Sequence, residues 1–316
     1  MKRTDNDQRP IDRRTWLAAI GLGPLLLFGR GRASRQEPEI KDRLEGLGLG
    51  TIQERQTRHY LGAGNAPPEF IEAALKLCEG LAEDYLRHFP ARGFAVQKPA
   101  RLLQVVVLSD SESFAKVLGE DPGETVAGIY DLDANELVMF DNRGASTGDA
   151  QADFGAQRAN SIALFHEATH QLTYNTGLLD RESDVPVLIS EGLATYGEVR
   201  RPDGRTRIGA INQERLSVIA QALRQGEPLL PVERLLTEGA LFLQADTLQL
   251  AYAQAWLLAH AHFSNKGPAE RFRIYLEALK KRPDGSSRLE DFQAHLGDPE
   301  GLDKQLMGLA KRMVGR

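Results

Sequence analysis

Positions 166, 167 and 170 hold His, Glu and His in the run Leu164-Phe-His-Glu-Ala-Thr-His170, and hydrolytic metal centres are made from these residue types. An α-helix completes a turn in about 3.6 residues, so His166 and His170 project from one face and two imidazoles can meet a single ion. Glu167 lies about 100° around the axis from His166. It can face a water beside the ion without being a ligand, which is the position of a general base.

A catalytic zinc site has three protein ligands and leaves a fourth position to water. Glu191 follows His170 after twenty intervening residues. That separation lets one helix end, the chain reverse, and a second helix return a carboxylate. His166, His170 and Glu191 then form a His-His-Glu set, with Ser190 or Thr195 placed to fix an imidazole tautomer from behind. Two imidazoles favour zinc over magnesium or calcium, so one Zn2+ per chain is the expected cofactor. Charge that develops on a substrate oxygen needs a further donor. Tyr252, in Leu-Ala-Tyr-Ala-Gln-Ala-Trp, is the first choice, and His260 and His262 are the alternatives. Tyr174 and Tyr196 read as packing residues, and His59, His88 and His295 lack any ligand spacing. The acidic stretch from Asp180 to Asp184 reads as a solvated turn.

The elements that must position these groups follow from periodicity and turn residues. Strand character around His59-Tyr60-Leu61 is followed by a turn at 62–68, and Pro68 opens a helix with apolar residues from Ile71 through Cys78 to Leu86. Leu102 to Leu108 reads as a buried strand and Ser109 to Ser111 as the cap of a short helix. Ala127–Tyr130 and Glu136–Phe140 make a hairpin. Residues 142–157 read as a loop, and 158–174 as the helix that carries the two histidines, with Ile162, Phe165, Thr169 and Leu172 inward. A second helix over 187–199 carries Glu191. From Ile211 onward the pattern is helical, over about 211–225, 231–237, 246–264, 268–281, 287–295 and 299–313, with turn signals between the segments. A mixed half followed by an all-helical half predicts an α+β architecture.

Residues 1–34 differ from the rest. Arg13-Arg14, an apolar run from Trp16 to Phe28 and the small residues Ala33 and Ser34 resemble an export signal of the twin-arginine type, with an uncut signal-like anchor, followed by Arg30, Arg32 and Arg35, as the alternative. The run is short for a membrane span, which needs about 20 apolar residues. No stable membrane insertion is expected beyond this segment, and the protein is expected outside the cytoplasm. Residues 35–50 read as a linker, 51–200 as the α/β part with both ligand helices, and 201–316 as the helical part. Removing residues 1–33 takes the formal charge from −5 to −9. So acidic a chain is unsuited to phosphate backbones, and no nucleic-acid partner is expected. Cys78 is the only cysteine, so no intramolecular disulfide is possible, and it reads as a small buried apolar residue.

His166-Glu-x-x-His170 followed by Glu191-Gly-Leu-Ala-Thr-Tyr196 resembles the gluzincin metallopeptidases, including the Glu-Gly-x-Ala-x-Tyr run of their glutamate helix. With the strand at 56–62, Val105–Leu108 before Ser-Glu-Ser-Phe114, and Tyr252-Ala-Gln-Ala-Trp256, the chain is similar over residues 51–312 to exported bacterial peptidase-MA-like proteins. These are known mainly as a domain of unknown function. The resemblance implies a zincin-like fold, a peptide or protein substrate, His166, His170 and Glu191 as zinc ligands, and Glu167 as base. It also implies a strand above the active helix that pairs with extended substrate, a place that Glu136–Phe140 suits in sequence. The amino-terminus-binding motif of aminopeptidases is missing, so an endopeptidase is expected. The alternative from another class is a zinc-stabilised binding or envelope module without turnover.

Overall fold

Leu103-Gln-Val-Val-Val-Leu108 is apolar almost without interruption, the pattern of a strand covered on both faces. It forms β3 (Leu103–Leu108) at the centre of a five-stranded mixed sheet. The computed structural model describes residues 40–120, 126–142, 150–199, 207–263 and 266–315; the expected signal segment, 1–34, lies outside them. The strands β1 (Gln53–Gln56), β2 (Tyr60–Gly64), β4 (Gly128–Asp131) and β5 (Glu136–Phe140) give the order β1-β2-β3-β5-β4. β2 and β5 run parallel to β3, while β1 and β4 pair antiparallel at the two edges. Parallel neighbours need a crossover, and α2 (Pro68–His88) supplies it between β2 and β3.

Side chains alternate across a strand, and the sheet uses both faces. Tyr60, Val105, Val107, Tyr130, Leu137 and Met139 join the larger core, with α2 packed on it through Ile71, Leu75, Leu81 and Tyr85. Cys78 is buried in the same stripe, and burial, then the charge of Glu79, pushes its thiol pKa up. A thiol so placed is an apolar filler. Val106, Leu108, Ile129, Val138 and Phe140 face the other way, under α1 (Ile40–Gly46) and α3 (Ser111–Leu118). α3 starts at Asp110, whose side chain accepts from the Ser113 N–H.

α4 (Ala150–Asn175) and α5 (Val187–Gly197) follow, then α6 (Gln213–Gln225), α7 (Val232–Thr237), α8 (Leu248–Phe263), α9 (Lys266–Leu279), α10 (Arg288–Leu296) and α11 (Pro299–Val314). The fold is α+β, as the sequence predicts, with a largely helical C-terminal half. One apolar cluster runs from Tyr60 through the inner face of the sheet, α4 and α5 to Ala310 on α11.

Four local expectations are corrected. Part of the supposed linker is α1, which buries Ile40 and Leu44 against the sheet; seven residues carry too little periodicity to stand out. The single strand expected around His59-Tyr60-Leu61 is two strands, and β2 runs through Gly62 to Gly64, glycines that read as a turn. α4 begins at Ala150, so residues 150–157 are helical where a loop is expected, and residues 143–149 lie outside those described. Asp184 is not solvated: it is buried, and Arg288 on α10 donates two hydrogen bonds of 2.6 Å to it. The partner lies 104 residues away, beyond any local reading of the turn.

Candidate metal centre

α4 ends where Gly177 takes φ 79°, a left-handed conformation that glycine adopts without strain. The chain then turns back, and Pro186 precedes α5, which lies against α4. Every one of the eleven residues of α5 is buried. On its α8 side, a Cβ at Gly192 would sit 2.8 Å from the Ala255 carbonyl oxygen, so only glycine lets the two helices approach this closely.

This packing brings His166, His170 and Glu191 together. His166 Nε2 lies 3.1 Å from Glu191 Oε2 and 3.2 Å from His170 Nε2, and His170 Nε2 lies 3.4 Å from the same carboxylate oxygen. Tetrahedral ligands about 2.0–2.1 Å from an ion stand roughly 3.3 Å from one another, so these spacings suit a small cation. The three residues can hold a metal ion. Each imidazole is also held from behind, which leaves its Nε2 toward the centre. His166 Nδ1 meets Glu198 Oε1 at 2.7 Å, and His170 Nδ1 meets Ser190 Oγ at 3.2 Å. Thr195 takes no such part; its hydroxyl donates to the carbonyls of Glu191 and Gly192.

Glu198 is the residue the sequence reading misses. It lies seven residues after Glu191, two helical turns on nearly the same face, and that spacing was the available signal. Asn212 donates to its Oε2 at 2.8 Å, and Arg215 donates to both oxygens, at 3.1 and 2.7 Å.

The charges follow from these contacts. Burial would raise the Glu191 pKa, but the two imidazoles outweigh it and hold it down at about 2. Burial would likewise raise Glu198, and Arg215, then His166, bring it down to about 2. Burial would lower His166, and the carboxylates of Glu191 and Glu198 instead push it up to about 10. His170 is lowered, mainly by burial. An ion taking His166 Nε2 must displace a proton, so metal affinity is expected to fall with pH. Replacing Glu198 by Gln is expected to weaken metal binding about 10- to 100-fold. Competition against a chromophoric chelator at several pH values reads both effects, and unchanged affinity in E198Q would remove Glu198 from the centre.

Glu167 is buried beside the triad. Its Oε2 accepts from the Tyr130 N–H on β4 at 2.8 Å, while its Oε1 has no hydrogen-bond partner. Burial, opposed by His166, raises its pKa to about 8. Tyr252 on α8 reaches the same place, its ring centroid 6.0 Å from that of His166, with the Arg215 guanidinium 5.3 Å over the ring. His260 stacks on Trp256, and His262 bonds the Leu258 carbonyl and packs on Phe272, which are packing roles.

Tyr174 faces Ser190, and Tyr196 is buried with its hydroxyl 3.1 Å from His88 Nε2. His59 pairs with Glu79, and the ring of His295 lies against Tyr275. The strand expected to meet substrate is misplaced in the sequence reading: β5 lies between β3 and β4, and the edge beside Glu167 belongs to β4. The uninterrupted apolar run of β5 is itself the signature of an interior strand.

An α+β chain with a buried His-His-Glu centre and an adjacent carboxylate is thus the class defined by fold and site. A family model described as "Protein of unknown function (DUF1570)" matches residues 160–284, a span that contains His166, Glu167 and His170 on α4, all of α5, and Glu198, Arg215 and Tyr252. No curated protein matches the chain. Among the described residues, no helix is long and apolar enough to cross a membrane.

Proposed function

We propose that the chain is a zinc-dependent endopeptidase of the gluzincin type, exported through its Arg13-Arg14 segment. The observation that carries this reading is Glu167, a buried carboxylate with one oxygen held by a backbone donor and the other unpartnered, next to a ligand histidine. A zinc ion held by His166, His170 and Glu191 would supply Lewis acidity, polarising a peptide carbonyl and lowering the pKa of water. Glu167 takes the proton of the attacking water on Oε1 and passes it to the leaving amine. Glu198 and Ser190 keep the two imidazoles turned so that Nε2 faces the centre.

Tyr252 serves as donor to the carbonyl oxygen as that atom gains charge. Burial, then the charges of Glu191 and Glu167, push its pKa well up, so the phenol keeps its proton. Extended substrate meets the free edge of β4, where Gly128 points its backbone groups to the same side as Tyr130.

The second reading is a zinc-stabilised module without turnover. The near-complete burial of all three donors favours it, since structural zinc sites are closed. Elemental analysis and digestion of a peptide library separate the two. The peptidase is expected to bind one zinc per chain and to give cleavage that a chelator stops and zinc restores. Stoichiometric zinc with no chelator-sensitive cleavage would leave the module. Export is tested separately, and an Arg13→Lys, Arg14→Lys variant that still leaves the cytoplasm would overturn it.

A further inference from the structure

We propose that Asn135 and Asn175 are positioning residues that fasten the edge strand β4 along α4, so that the Tyr130 N–H fixes the orientation of Glu167. The kinetic consequence rests on the peptidase reading; the contact itself does not. β4 has four residues and a sheet partner on one side only. Its ladder to β5 and the burial of Ile129 and Tyr130 keep it on the sheet, and from there it supplies the donor to Glu167 Oε2.

What ties its far end to α4 is a polar cluster at the turn between β4 and β5. Asn135 sits there at φ 58°, in the left-handed region that asparagine tolerates. Its Nδ2 donates to Asn175 Oδ1 at 2.9 Å, and Asn175 Nδ2 donates back to Asn135 Oδ1 at 2.7 Å. The Tyr130 hydroxyl donates to the same Asn135 oxygen at 2.7 Å. Arg181 Nε pins the turn from the other side through the Leu132 carbonyl, at 3.1 Å.

Tyr130 is therefore held at both ends against one helix. Its N–H meets Glu167, and its hydroxyl reaches the Asn135–Asn175 pair, eight residues and about 12 Å further along α4. Just before Tyr130 the strand also lies against the stem of the base, since a Cβ at Gly128 would be 3.6 Å from Glu167 Cγ. Releasing the clamp frees β4 to lift and Glu167 to rotate, so that Oε1 no longer keeps its place. Neither asparagine touches the reacting atoms.

The test uses the full zinc-loaded chain carrying ¹⁵N only in tyrosine. Seven amide signals result, and the one missing from Tyr130→Phe is that of Tyr130. Removing the acceptor in Glu167→Ala is expected to shift this signal upfield and to speed its exchange with solvent. Asn175→Ala and Asn135→Gly are expected to do the same, with exchange at least about 10-fold faster, while zinc stoichiometry holds. Asn135→Gly also guards against misfolding, because glycine accepts the positive φ. In peptide hydrolysis both asparagine variants should lose about 10-fold or more in kcat with KM little changed. A Tyr130 amide that ignores Glu167→Ala, or asparagine variants with wild-type amide behaviour and wild-type kcat, would overturn the proposal. If the wild-type chain cleaves no peptide, the peptidase reading falls, and the amide signal alone decides whether the clamp exists.

Discussion

On the proposed peptidase reading, replacing Glu167 by Gln is expected to leave the metal bound and to lower the rate of peptide hydrolysis by about 10²–10⁴-fold. The substitution keeps the shape of the side chain, and the Gln carbonyl oxygen can still accept from the Tyr130 N–H. What changes is the other end. Oε1, the atom without a protein partner, becomes an NH2 group that cannot take a proton from water. The donor atoms of His166, His170 and Glu191 are untouched, so elemental analysis should return the wild-type zinc content. Because the substitution removes a group used in the transition state, the loss should fall on kcat more than on KM. E167Q that cleaves at the wild-type rate would sink the mechanism, and E167Q without zinc would show that Glu167 belongs to the donor set instead.

The second large effect is on stability. A Cβ at Gly64 would overlap the Val107 carbonyl oxygen and sit 2.6 Å from the carbonyl carbon. Both are backbone atoms, so no side chain can swing aside, and β2 and β3 must separate at the end of their pairing. Gly64→Ala is expected to cost roughly 3 kcal/mol or more, read as a lower urea midpoint. Gly80→Ala is the matching control, because a Cβ there meets nothing within 4 Å on α2. Alanine at this half-buried but unobstructed helix-interior position should instead stabilise by about 0.5–1 kcal/mol. Equal midpoints for wild type and G64A would mean that β2 does not approach β3 as described.

The donor set was legible in the sequence because it depends on local geometry. His166 and His170 need only the helical repeat, and Glu191 needs one helix reversal, so spacing alone nominates them. Ser190 came with Glu191 for the same reason. Glu198 is harder: its spacing from Glu191 puts it on the right face, but its burial past the end of α5 depends on Asn212 and Arg215, which arrive with the start of α6. The order of the strands was out of reach for a related reason. The hairpin of β4 and β5 can be read from its turn, but which member pairs with β3 depends on contacts across thirty residues of chain. Asp184 shows the same limit, since an acidic turn looks solvated until the distant Arg288 is placed beside it. Helix boundaries failed for a different reason: the Gly, Ala and Asp residues before position 158 look like a loop, and neither this composition nor seven residues of α1 signals a helix strongly.

The complete enclosure of α5 has a kinetic corollary. A helix covered on every side meets water only when its neighbours come away, so its amides belong with the slowest to exchange. Glu191 rides on that helix, and the α8 backbone lies against it at Gly192. With its carrier helix so fixed, the Glu191 carboxylate would keep its place while a substrate came and went at the centre, and would leave it only when the α5–α8 contact opens.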